Sequence, residues 1–131
     1  MWLSPCRRIS SKKARRCLPL ARAAAAMLPW CSESMSSTYE RSNSVTCVLM
    51  NGRDPETLRA YCNEKCGVIL GHGIGELTGK AFRIAHMGHV NAPMILGTLS
   101  VVEMALGALG IPHGKGGAQA AIDWLSEQVK A

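Results

Sequence analysis

The residue whose type and setting could do chemistry is Arg83, inside the stretch Lys80 to Asn91, KAFRIAHMGHVN. Residues Ala81 to Met87 are short-range apolar sequence bounded by Gly79 and Gly88, which predicts a buried strand. Side chains alternate along a strand, so Phe82, Ile84 and His86 share one face while Ala81, Arg83, Ala85 and Met87 share the other. A guanidinium among small apolar neighbours is costly unless its charge is matched. Its planar fork suits a carboxylate held by two parallel hydrogen bonds. Two other readings of the same spacing stay open: a structural ion pair, or a side chain that snorkels to the sheet edge.

Other candidate groups carry less. His86 and His89 near the strand end have the chemistry of a base or ligand, but also that of structural histidines satisfied by a hydrogen bond. Cys62 and Cys66 fall one helical turn apart, and no second Cys or His pair completes a four-ligand set at zinc-like spacing. GHGIGELTGK has four glycines and a lysine, yet a phosphate loop needs a glycine where Ile74 stands and a Ser or Thr where Ala81 follows Lys80. A dinucleotide fingerprint fails too, because a strand rather than a helix comes next. It reads as a flexible loop leading into the central strand. With no Ser–His–Asp set and no carboxylate dyad, the residues offer a carboxylate clamp and no reaction.

The elements that must position Arg83 follow from the chain order. Val45 to Met50 is β-branched and apolar, a strand. Asp54 as N-cap and Pro55 at the first helical position open a helix over about 55–66, with Leu58, Tyr61 and Cys62 inward and Gly67 as its stop. Val68 to Leu70 reads as a short strand. Asn91 caps a long apolar helix with Pro93 in its first turn; Gly97 and Gly107 would allow close backbone approach, and its girth needs cover on more than one side. A last helix spans Ala118 to Lys130 on Ile122, Leu125 and Val129. The predicted class is α+β, a small antiparallel-type sheet with helices on one face.

At 131 residues the chain holds one modest domain, and with aromatics at 5% its core must be aliphatic. The net charge of +6 is uneven: residues 1–22 hold seven basic residues and no acid, while the rest holds eight basic and nine acidic. Residues 1–38 form a basic Ser/Ala/Arg-rich extension, expected to be poorly ordered or partly helical, ahead of a domain over 39–131. Such composition fits a mitochondrial transit peptide, an arm for nucleic acid or an anionic membrane, or an extension without a role. The six scattered cysteines and the lack of a secretory h-region favour reduced thiols in an intracellular compartment, whether cytoplasmic, peroxisomal or mitochondrial. No run reaches the roughly 18 apolar residues of a membrane span.

Four blocks then acquire a second meaning: SNSVTCVLM (42–50), the glycine loop into GKAFRIAHMG (79–88), MILGTLSVVEMAL (94–106) and GIPHGKGGAQAA (110–121). Together, from about Tyr39 to Leu125, they resemble the C-terminal small domain of the serine–glyoxylate and alanine–glyoxylate aminotransferases, class V pyridoxal-phosphate enzymes of fold type I. The resemblance implies that Arg83 binds the α-carboxylate of the amino or keto acid, within a homodimer that moves an amino group from serine or alanine to glyoxylate. It also implies pyridoxal phosphate in the full-length family. The cofactor-binding large domain, with its Schiff-base lysine, has no counterpart in these blocks, and Lys80 sits in a small-domain motif. The resemblance thus points to a truncated product, with no cofactor and no activity expected of this chain alone. The alternative is a non-enzymatic interaction domain with a basic N-terminal arm.

Overall fold

The computed structural model describes residues 45–130, the side chain of Val129 excepted. The expectations for the basic extension over 1–38 lie outside the described residues. Three strands and three α-helices follow in the order β1 (Val45–Leu49), α1 (Pro55–Cys66), β2 (Gly71–His72), β3 (Ala81–Ala85), α2 (Ala92–Ala108) and α3 (Gly117–Val129), with a 3-10 turn at Gly75–Leu77 between β2 and β3. The sheet order is β1–β3–β2 with both pairings antiparallel, so the strand that carries Arg83 is central. This is the α+β class predicted.

The register decides what each face does. Thr46 opposes Ile84 and Val48 opposes Phe82, and this face meets the helices. Val48, Phe82 and Ile84 join Met50, Leu58 and Cys62 of the first half with Ile95, Leu99, Val102, Leu106 and Ala121 in one buried cluster. Cys47 opposes Arg83, and Gly71 opposes Arg83 from the other side. On that second face Ala81 is fully buried, Arg83 half-buried and Ala85 exposed. Burial of the aliphatic cluster stabilises the domain at about 25 cal/mol per Å² of apolar surface, which is what holds β3 against α1 and α2.

Helix α1 forms where its caps place it. Asp54 accepts from the Glu56 N–H at 2.9 Å and the Thr57 N–H at 3.2 Å, and Gly67 closes the helix in the left-handed region. Leu58 and Cys62 are fully buried, with Tyr61 packed at their margin. For α2, Asn91 Oδ1 accepts from the Met94 N–H at 3.0 Å, as its position predicts.

Several boundaries differ from expectation, each for a local reason. β3 stops at Ala85 rather than Met87, since its described pairing with β1 begins at Val45 opposite Ala85. β1 ends at Leu49, although the Met50 N–H still donates to the Lys80 carbonyl at 2.9 Å. Residues 68–70 form no strand. The Val68 N–H is taken by the Cys62 carbonyl in the closure of α1, and the Leu70 carbonyl accepts from Arg59 Nε at 2.9 Å. Pairing starts only at Gly71, so the glycine-rich stretch is an ordered hairpin arm rather than a loose lead. It packs tightly: a Cβ on Gly73 would fall 1.9 Å from the Leu77 carbonyl oxygen.

Two expectations about the helices fail. Among the described residues nothing lies within 4 Å of a Cβ built on Gly97, and Gly107 would meet only the His113 ring at 3.8 Å, so neither glycine serves a close approach there. Accordingly α2 buries Ile95, Leu99, Val102, Ala105 and Leu106 but leaves Met94 and Met104 exposed. In α3 the buried residues are Gly117 and Ala121, with Ala118 beside them, and Ile122 is exposed. Small side chains sit inward there because α3 packs against α2. Leu125 is half-buried, and the Val129 side chain lies outside the described residues.

Candidate functional site

Arg83 stands at the middle of the central strand and projects from the sheet face opposite the helices. It is half-buried along its stem. Its Nε donates to the His72 carbonyl oxygen at 2.7 Å, a short charge-assisted bond to the outer strand. Among the described residues no carboxylate pairs with it; Glu56 on α1 pairs with Arg59 instead. A carboxylate meeting Arg83 would therefore meet a guanidinium whose outer nitrogens have no partner among the described residues.

Cys47 faces Arg83 across β1. Burial pushes its thiol pKa up, and the guanidinium opposes that shift without overcoming it. A thiol so placed stays protonated near neutrality and is a small apolar neighbour rather than a nucleophile.

His86 does not join Arg83. Its Nε2 lies 3.0 Å from the Thr46 hydroxyl, on the helix-facing side of the sheet, while its Nδ1 is buried without a partner. Burial holds its imidazole below the usual histidine range. His89 is exposed and makes no hydrogen bond among the described residues. The two histidines are separate, which suits the structural account of His86 and leaves no base beside the guanidinium.

The cysteine pair on α1 is also divided. Cys62 is inside the core, its thiol pushed up to about 11 by burial and by neighbouring Cys66, which is only half-buried. No group of three or more His, Cys, Asp or Glu side chains is placed to hold a metal among the described residues. Lys80 is exposed at the start of β3.

Three contributors escape sequence reasoning. The His72 carbonyl accepts from Arg83 Nε, and Thr46 pairs with His86. A backbone acceptor has no signature in residue type. The partnership of Thr46 and His86 spans 40 residues and follows only from strand register. A third, Glu103, ties α2 to the start of α3, and its signal was available: one acid inside a long apolar helix.

No family model matches the chain. Relatives are found by sequence and by shape. A serine–glyoxylate aminotransferase of Arabidopsis thaliana is 36% identical over 90 residues, 67% of this chain and 22% of that protein. The crystal structure of a pyridoxamine–pyruvate aminotransferase from Mesorhizobium loti superposes with a TM-score of 0.73 at 25% identity, over 89% of this chain and 30% of that one. A ureidoglycine–glyoxylate aminotransferase from Bacillus subtilis superposes at 0.62 with 27% identity, over 83% and 29%.

An α+β domain built on this sheet, with these neighbours in sequence and shape, is an aminotransferase domain. The chain belongs with the serine–glyoxylate and alanine–glyoxylate aminotransferases over the stretch they share. It spans about a fifth of the length of the curated relative it matches. No helix of the described residues is long and apolar enough to cross a membrane.

Proposed function

We propose that this domain holds the substrate carboxylate in an aminotransferase that exchanges an amino group between a small amino acid, serine or alanine, and glyoxylate. Arg83 is the anchor. The observation that carries the reading is a guanidinium at the centre of the open sheet face, with no acidic side chain paired to it among the described residues. An arginine kept for an ion pair within the described residues would show its partner. One kept for solubility would not occupy the central strand.

The pyridoxal phosphate of such enzymes does not fit the described residues. It needs a sheltered lysine, and Lys65, Lys80, Lys115 and Lys130 are all exposed and lie apart, on α1, before β3, in the loop before α3 and after it. This chain's own part is binding and orientation: to fix one end of the amino or keto acid so that its α-carbon is presented outward from the sheet. Holding a reactant in place in this way is worth a large share of an enzymatic rate.

The test is a chimera of the full chain with the large domain of a serine–glyoxylate aminotransferase. Replacing the fork by a point charge removes one of two parallel charged hydrogen bonds, about 1.5–3 kcal/mol, so Arg83→Lys should lower kcat/KM roughly ten- to a hundredfold. An active chimera with unchanged kcat/KM in Arg83→Lys would remove Arg83 from substrate binding.

A further inference from the structure

The direction in which Arg83 points is set by what is missing from its neighbour. Gly71 is its register partner on β2. A Cβ placed on Gly71 would sit 3.3 Å from Arg83 Cβ and 3.5 Å from Arg83 Nε. Cross-strand side chains normally stand side by side above the sheet, and a side chain on residue 71 would occupy the space the arginine uses. Bare backbone there lets the arginine stem lean from β3 over β2, until Nε meets the His72 carbonyl at 2.7 Å.

We propose that Gly71 is a positioning residue for Arg83, directing the guanidinium along β2 so that Nε is committed to the His72 carbonyl and only the two Nη groups face a ligand. This rests on the carboxylate-anchor reading above and narrows it. A guanidinium has five N–H donors in a fixed plane. It can take a carboxylate side-on, through Nε and one Nη, or end-on, through both Nη. With Nε already donating, the end-on approach is the one left. The ligand is then a carboxylate whose C–C axis extends the line of the arginine, its remaining atoms pointing away from the sheet. Bulk beside the carboxylate is tolerated by this geometry only on the side away from β2.

A guanidinium without the Nε bond would sweep through several rotamers, each of which costs entropy to restore on binding. Gly71→Ala therefore acts on affinity through Arg83 without touching the ligand. The atom met at 3.3 Å is Arg83 Cβ, fixed on the central strand, so the methyl group requires a shift of a few tenths of an ångström between β2 and β3.

The experiment is nuclear magnetic resonance on the nitrogen-15-labelled full chain, with the Arg83 Nε–H signal assigned by its loss in Arg83→Lys. Acetate and pyruvate are the probes, with acetamide as the uncharged control. In the unaltered chain the Arg83 Nε–H should exchange with water at least tenfold more slowly than in Gly71→Ala. Both carboxylates should shift the Nη signals and leave Nε–H in place, and their apparent affinity should fall several-fold in Gly71→Ala. The inference is overturned if Gly71→Ala keeps both the slow Nε–H and the affinity, or if the carboxylates displace Nε–H from its bond in the unaltered chain. Should Gly71→Ala not fold, that second titration decides alone: an Nη-only response supports the geometry, and an Nε response ends it. If Nε–H is protected, loses protection in Gly71→Ala and no carboxylate shifts any signal, Gly71 does position Arg83 and the carboxylate-anchor reading is what falls.

Discussion

Glu103 of α2 closes the N-terminus of α3 through Gly116: its Oε1 accepts from the Gly116 N–H at 2.5 Å, and its Oε2 from the Ala118 N–H at 3.1 Å. Gly116 has no side chain to cap its own helix, so the acid is borrowed from 13 residues upstream. A helix N-terminus leaves four N–H groups without partners and carries partial positive charge, and a carboxylate answers both. The junction of two helices is thereby fixed by one side chain.

The first prediction concerns this cap. Partial burial pushes the Glu103 carboxyl up, but the Gly116, Ala118 and Gly117 N–H groups with nearby His113 outweigh it and hold the pKa below the usual carboxylate range. A depressed folded-state pKa means stability that is full above the unfolded value of about 4.3 and lost as pH falls through the folded one. Glu103→Ala should cost about 1 kcal/mol at pH 7, the low side of capping effects because solvent screens the group. At pH 3 the deficit should be smaller. Urea titration at both pH values checks it, and an equal deficit at both would mean lost packing rather than lost charge.

Two glycines should respond in opposite senses. At Gly73 a methyl group would strike the Leu77 carbonyl at 1.9 Å, and backbone cannot step aside as a side chain can. Gly73→Ala should lower stability by about 1–3 kcal/mol. At Gly97 a methyl meets nothing within 4 Å, and alanine is the better helix former by roughly 1 kcal/mol. Gly97→Ala should raise the midpoint of urea unfolding. A loss at Gly97 would show that a neighbour outside the described residues packs there.

How much of this was legible depends on distance along the chain. Helix α1 was readable to the residue, because Asp54, Pro55 and Gly67 are local signals acting on the next turn. The central strand and its Arg83 were readable because alternation is local too. What failed was the position of β2. The competition between the closure of α1 and strand pairing at Val68 is settled by a bond to Cys62, and the Leu70 carbonyl is claimed by Arg59, 11 residues back. The glycines of α2 misled for a similar reason: composition says that a backbone can be approached, and only the packing says whether it is. For the site, residue type supplied the carboxylate reading of Arg83, while the bond of its Nε to the His72 carbonyl has no signature in residue type.

His86 supplies a prediction in pH. Burial depresses its pKa from the ordinary 6.5, with the ring packed beside Thr46 and one nitrogen unpartnered. The neutral ring is the form the fold accepts, so its contribution is full above pH 6.5 and is lost as pH falls through the folded value. Unfolding free energy should therefore begin to decline just below pH 6.5, well before the carboxylates titrate. His86→Gln keeps a polar group for Thr46 and cannot be charged. Its stability should be flat between pH 7 and 5, measured by urea unfolding across that range. A decline of the same size in the variant would assign the titration to another group.

The last prediction separates Arg83 as a ligand from Arg83 as a structural post. Its sequence setting suggested a charge that is costly unless matched; the structure leaves the guanidinium half-buried, with one bond to the His72 carbonyl. A half-exposed hydrogen bond of this kind contributes little, because the His72 carbonyl turns to water when it is gone. Arg83→Ala should thus lower the stability of the full chain by about 1 kcal/mol, or roughly 4–8 °C in Tm for a domain this size. Arg83→Met keeps the apolar stem over Gly71 and should recover part of that loss. An internal ion pair would behave otherwise, since stripping one partner from a buried pair costs about 3–5 kcal/mol. Thermal unfolding of the three chains side by side decides between them. A fall of 15 °C in Arg83→Ala would make the arginine a structural member whose partner lies outside the described residues, and the anchor would have to be sought elsewhere.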